Sequence, residues 1–212
     1  MIGRFRRYAR EHGVRAAVVK SVDQARHDYF GERRITILLK ELDSIQAPRK
    51  SSGLEVADLD REGLAGLSEL NRERGRGRVD RRFRADFERG VHGFVGRRDG
   101  AVVGYYWWIE AERADLHSDL AWLGDTLQMQ PGDAYGSDFY ILPAHRPGGT
   151  ANEFLFHVEG SLRDRGFARL WGYVDSGNRQ ARWLYSSRGY QPMGDVTVRR
   201  SPFRRQATQP AP

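Results

Sequence analysis

The run Asp138-Phe-Tyr-Ile-Leu-Pro-Ala-His-Arg-Pro-Gly-Gly-Thr-Ala151 constrains the fold more than any other part of the chain. An apolar strand ends at Pro143, a short glycine loop carrying Arg146 follows, and a helix opens near Gly149. A strand turning directly into a helix, with another strand pattern beyond it, points to a mixed α/β layer protein with a crossover at its centre. The same turn outlines an anion site. Free backbone N–H groups and the positive end of the helix dipole converge there, and glycine lets the backbone approach a phosphate closely. The loop is neither a Walker loop, because Gly-Lys-Ser/Thr is missing, nor the Gly-x-Gly-x-x-Gly dinucleotide pattern.

Around this run the hydrophobic pattern predicts a domain over residues 54–200. Leu54 to Leu59 reads as a short strand, and Arg61 to Arg72 and Val79 to Arg89 as helices separated by Gly75 and Gly77. Val91 to Arg97 and Ala101 to Glu110 read as strands, joined at Asp99-Gly100, a strong hairpin signal. Residues 111–134 are irregular. Then come a strand over Tyr135 to Leu142, a helix over Asn152 to Arg165, a strand over Ala168 to Val174, a helix over Asn178 to Ser187 and a last strand over Asp195 to Arg199. Residues 1–50 read as an N-terminal extension: a basic amphipathic helix closed by Gly31, a strand over Arg34 to Leu42, then a Pro- and Ser-containing linker. Residues 201–212 read as a disordered tail.

Composition removes several classes. The chain has no cysteine, which excludes a disulfide scaffold, a thiolate zinc site and a cysteine nucleophile. The longest apolar run, Ala101 to Ile109, is far short of the ~20 residues a membrane-spanning helix needs. Arg15 and Lys20 interrupt the stretch behind the basic N-terminus, so no secretory leader is expected and a cytoplasmic protein is. The net charge is +7, carried by 35 basic residues of which only Lys20, Lys40 and Lys50 are lysines. Such a surface suits an anionic ligand or an acidic partner. The arginines spread along the chain without a nucleic-acid-binding motif, so nucleic acid is not the expected partner.

The motifs resemble those of the GNAT acyltransferase superfamily. Its phosphate loop, Gln/Arg-x-x-Gly-x-Gly/Ala, is matched by Arg146-Pro147-Gly148-Gly149-Thr150-Ala151, and Asp138-Phe139-Tyr140-Ile141-Leu142-Pro143 looks like its preceding strand. Val174, Asn178, Ala181, Leu184, Tyr185, Gly189 and Tyr190 follow at the family's spacing. The resemblance covers residues 54–200 and implies a sheet whose central strand splays from its parallel neighbour. It implies transfer of an acetyl or other acyl group from coenzyme A to an amine by direct attack, with no metal. Acyl transfer from an acidic acyl carrier protein and a catalytically inactive CoA sensor are the alternatives, and a homodimer is one possible assembly among those left open.

Carried over residue by residue, the resemblance implies that Arg146, Gly148, Gly149, Thr150 and Ala151, assisted by Asn152, hold the CoA pyrophosphate. The pantetheine arm would pair with backbone groups of Tyr140, Ile141 and Leu142, and a backbone N–H near Ile141 would polarise the thioester oxygen. Asn178 would touch the arm and Tyr185 would protonate the departing thiolate. A phenol, with a pKa near ~10, matches a thiolate of similar basicity, and seven residues of helix turn ~700°, which puts Asn178 and Tyr185 on one face. Asp138 is the candidate general base, with Glu110, His117 and a water chain without a dedicated base as alternatives. Pro147 removes one donor from the phosphate loop. Tyr105, Trp107, Trp108, Glu110 and Trp122 are the expected wall of an acceptor pocket for a small-molecule or sugar-like amine, although strand alternation lets only half of the Tyr105–Trp108 cluster face it.

Overall fold

The computed structural model describes residues 32–48, 52–73, 77–117, 120–123, 126–200 and 205–208. The helix expected over 1–30 lies outside the described residues. The strands are β1 (Glu32–Glu41), β2 (Glu55–Asp58), β3 (His92–Arg98), β4 (Ala101–Glu110), β5 (Asp133–Ile141), β6 (Arg169–Asp175), β7 (Gln191–Arg200) and β8 (Arg205–Thr208). The helices are α1 (Arg61–Glu73), α2 (Gly77–Glu88), the short α3 (Leu120–Leu123), α4 (Thr150–Asp164) and α5 (Arg179–Ser187).

All eight strands form one sheet in the order β2-β3-β4-β5-β6-β1-β7-β8. Every pairing is antiparallel except β5 with β6, which α4 connects. The β3–β4 hairpin turns at Asp99 and Gly100, with φ of 52° and 77°. Two successive positive φ values are what a two-residue turn needs to follow the twist of its strands.

Two expectations about the ends are corrected. The strand assigned to an N-terminal extension is inserted in the sheet: β1 pairs with β6 from Ile35 to Glu41 and with β7 from Glu32 to Leu39. Its residues Ile35, Leu38 and Leu39 are buried on both faces, which suits an interior strand and not an appendage. The tail assigned to disorder contains β8, which pairs with β7 from Thr197 to Arg200.

Helices cover both faces of the sheet. On one face, Leu67 and Leu70 of α1 and Phe83 of α2 pack on Tyr105, Trp107, Ile109, Tyr135 and Trp171. On the other, Phe154, Leu155, Val158 and Leu162 of α4 are fully buried, at the i, i+1, i+4, i+8 spacing of one helical stripe, against Phe94, Tyr106, Trp108 and Ile141. The alternation expected along β4 therefore holds, but both of its faces are core.

Candidate functional site

The site begins where two strands separate. β5 and β6 pair over only three positions, Asp133–Tyr135 with Arg169–Trp171, although both strands continue for several more residues. Gly136 stands at the point of parting. A Cβ there would fall 1.7 Å from the Tyr106 hydroxyl, and one on Gly172 would fall 3.3 Å from the Gly136 carbonyl oxygen. Only glycine leaves room for this crossing.

Beyond Gly136, β5 bulges. Trp107 faces Ser137 and Tyr105 faces Tyr140, so two β5 residues, Asp138 and Phe139, stand opposite Tyr106 alone. Asp138 takes φ of 44°, a left-handed angle that Asp accepts more readily than most residues. After the bulge, the Leu142 N–H donates to the Val103 carbonyl at 2.8 Å. By alternation the N–H and C=O of Ile141 point the other way, into the space β6 has left. The Ile141 carbonyl accepts from Arg146 Nε at 3.0 Å, and the Arg146 guanidinium lies 5.4 Å over the Tyr140 ring.

At the open end of the gap lies the glycine loop. Gly148 and Gly149 have φ of 80° and 87°, and a Cβ on either would meet only open space. Gly149 is the N-cap of α4 and no side chain caps its N–H groups. Two bare glycines, uncapped donors and a 15-residue helix behind them fit a phosphate-bearing ligand. Thr150 is fully buried and its hydroxyl is engaged, donating to the Pro147 carbonyl at 3.2 Å and accepting from Arg98 at 3.1 Å, so it shapes the loop from behind. Ala151 packs against the α4 core.

Tyr185 enters from the α4–α5 face. Asn178 is the N-cap of α5, its Oδ1 accepting from the Ala181 N–H at 3.1 Å, and so stands just outside the helix on which it was expected. Tyr185 packs edge-on against Tyr190, with ring centroids 4.9 Å apart, in the cluster that holds Tyr106. Burial, and secondarily the Glu159 carboxylate, raise its pKa above the usual phenol value. Asn152, expected beside the cofactor, accepts from Arg188 Nη1 through its Oδ1 at 3.1 Å.

The base candidates separate. Asp138 is ion-paired with Arg82 of α2, and its side chain remains 42% exposed. Glu110 bonds His92 at 2.9 Å at the closed end of the gap, where it pairs with Ala134. His117 is buried and bonds the Ser137 hydroxyl at 3.0 Å. The expected aromatic wall is corrected. Tyr105, Trp107 and Trp108 are 3%, 2% and 2% exposed and present no surface to an acceptor. Tyr105 and Trp107 pack on Phe83, and Trp108 on His92, Phe94 and Phe167. Trp122 lies in α3, its side chain outside the described residues. Among the described residues no group of three or more His, Cys, Asp or Glu side chains is arranged to hold a metal, and no helix is long and apolar enough to cross a membrane.

Sequence reasoning missed Gly136 with Tyr106, Arg82, and the Glu159–Arg188 pair. Each depends on a partner 29 to 56 residues away, such as Arg188 on Glu159, 29 positions apart, and no local pattern announces it.

Comparison with known proteins agrees with this geometry. The model of the acetyltransferase (GNAT) family matches residues 63–190. A glucosamine N-acetyltransferase region of a fungal multi-domain GH3 β-N-acetylglucosaminidase superposes with a TM-score of 0.61 at 16% identity, covering 86% of this chain and 22% of that one. A GNAT-family protein from Novosphingobium aromaticivorans gives 0.52 at 15% identity, covering 79% and 63%. A GCN5-related N-acetyltransferase from Sphaerobacter thermophilus gives 0.50 at 17% identity, covering 93% and 58%. The chain thus spans less than two thirds of the length of each, and at these identities the likeness concerns the fold. No curated protein matches the chain.

Proposed function

The chain belongs to the GNAT acetyltransferase family, and on that footing we propose that it transfers an acyl group from coenzyme A to an amine by direct attack. The observation that carries the reading is the parting of β5 from β6 after Tyr135, with a bare glycine loop at its open end.

Gly148, Gly149 and Ala151 would hold the CoA pyrophosphate on backbone N–H groups at the start of α4, with Arg146 adding charge. Coenzyme A supplies the acyl group as a thioester. The stretch of β5 from Tyr140 to Leu142, with Ile141 turned toward the space β6 has left, would orient an extended ligand as an added strand does. The N–H of Ile141 is an oxyanion donor already fixed by the sheet, so it needs no reorganisation when charge develops.

Acid and base would stand on opposite faces of the gap. Asp138, next to α2 and partly open to solvent, takes a proton from the incoming amine, directly or through water. Tyr185, on the α4–α5 face, gives a proton to the leaving sulfur. Its burial keeps the phenol protonated at neutral pH, and the same surroundings raise the basicity of a thiolate formed there. Asn178 fixes the start of α5 and so the position of Tyr185 along it. The chain has no cysteine, so no thioester with the enzyme intervenes.

The test is thiol release. Purified protein is mixed with acetyl-CoA and a panel of amines, and free thiol is read with a thiol reagent, to which the protein contributes nothing. Release dependent on one class of amine is expected. No release with any amine or acyl length, together with no rise in melting temperature on adding CoA, would remove the reading.

A further inference from the structure

Glu159 is fully buried on α4 and Arg188, 3% exposed, stands at the C-cap of α5. Both carboxylate oxygens of Glu159 accept from this guanidinium, Oε1 from Nε at 3.3 Å and Oε2 from Nη2. The remaining nitrogen, Nη1, donates to Asn152 Oδ1 at 3.1 Å and to the Gln46 carbonyl at 2.5 Å. One side chain thus grips α4 at two points seven residues apart, together with the segment that follows β1. Its main chain is equally committed. The Arg188 N–H donates to the Tyr185 carbonyl at 3.1 Å, and the Tyr190 N–H donates to that same oxygen at 3.0 Å.

We propose that Glu159 and Arg188 are positioning residues for Tyr185, locking the end of α5 to α4 so that the phenol keeps its place beside the parted strands. The inference rests on the reading of Tyr185 as the acid. A buried ion pair is weak evidence of a contribution to stability, since apolar residues of similar volume often replace one without loss. It is a rigid way to fix one helix end against another, because a charged fork with four acceptor oxygens has one arrangement. The placement is also economical in chain. The residue three positions after the phenol supplies both the backbone cap of the helix and the side-chain anchor. Tyr106 reaches the same spot from β4, and Lys40 and Tyr190 add to the polar surroundings of Glu159.

The test is a double-mutant cycle in the full chain, with acetyl-CoA and an amine that supports thiol release. Glu159→Gln removes the charge. Because it leaves Arg188 buried without its partner, the variant Glu159→Met/Arg188→Met is made beside it to keep a folded protein. Each is combined with Tyr185→Phe. We expect either change to lower kcat by roughly ten- to a hundredfold, the order of effect of a small displacement of a catalytic group, with the KM for acetyl-CoA within about twofold. In the Tyr185→Phe background the same changes should lower kcat by less than about twofold, because the group they position is gone. A merely structural role predicts the same loss in both backgrounds, and that result, or no loss in either, overturns the inference. If Tyr185→Phe alone keeps the wild-type kcat, the acid reading fails first and the inference falls with it.

Discussion

The Tyr106 hydroxyl lies against the backbone of Gly136, so close that a Cβ on Gly136 would fall 1.7 Å from it. This packing sets the apex of the gap between β5 and β6. Gly136→Ala is expected to cost about 1–3 kcal/mol of stability, the usual result of overpacking, and to lower activity by moving Tyr106 or spreading the strands. Gly136→Ala/Tyr106→Phe, which removes the clashing oxygen, should recover part of the loss in thermal unfolding.

Asp138→Asn separates charge from backbone. Asn accepts the left-handed angle of this position as well as Asp does, so the bulge should survive. If Asp138 is the base, kcat falls by about a hundredfold or more while the KM for acetyl-CoA stays within about twofold. An unchanged kcat would exclude the role and return attention to His117.

The glycine loop should tolerate volume but not a side chain's backbone preference. A Cβ on Gly149 meets nothing, yet φ of 87° costs a non-glycine residue about 1–2 kcal/mol. Gly149→Ala is therefore expected to raise the KM for acetyl-CoA several-fold with little change in kcat, measured at saturating amine.

Tyr185 makes a prediction about pH. Its folded pKa is raised by burial and by Glu159, and the proposed acid role requires the protonated phenol. If Tyr185 is the acid, activity that depends on it is present at neutral pH and lost only as pH rises through the raised value, above the usual ~10. The kcat profile should therefore show no decline between pH 7 and about 10 that Tyr185→Phe abolishes, and such a decline would contradict the assignment.

Trp107→Ala and Trp108→Ala should each cost about 3–5 kcal/mol, as losing a buried aromatic does. Where the variants remain folded at low temperature, the acceptor KM should stay near that of the unmutated protein. A selective rise in acceptor KM with unaltered stability would restore these residues to the pocket.

What the sequence revealed, and what it hid, divides along the range of the interactions. The Asp99-Gly100 turn, the α4 stripe and the strand–glycine–helix run are set within a few residues, and each could be read directly. The candidate site's backbone stretches, Tyr140 to Leu142 and Gly148 to Ala151, lie in or beside that run, and the family resemblance is what marks them for the cofactor. The side chains were less legible. Alternation placed Tyr105 and Trp107 on one face and Tyr106 and Trp108 on the other, but nothing local says that helices cover both. Asp138's partner Arg82 comes from α2, and the partners that hold α5 come from α4 and from the segment after β1. The place of β1 was hidden for the same reason, since its pattern fits any apolar strand and its neighbours are the late strands β6 and β7.

That placement of β1 also bears on how the protein is made. Arg33 bonds Asp175 across 142 positions, and Thr36 bonds Asp195 across 159. The strand nearest the start of the described chain can be seated only after the two strands that flank it have left the ribosome. Until then an apolar strand with two unpaired edges waits in solution. Such long-range closure slows folding and lengthens exposure to aggregation. The yield of folded protein should therefore depend on synthesis rate, temperature and chaperone supply more than its final stability suggests.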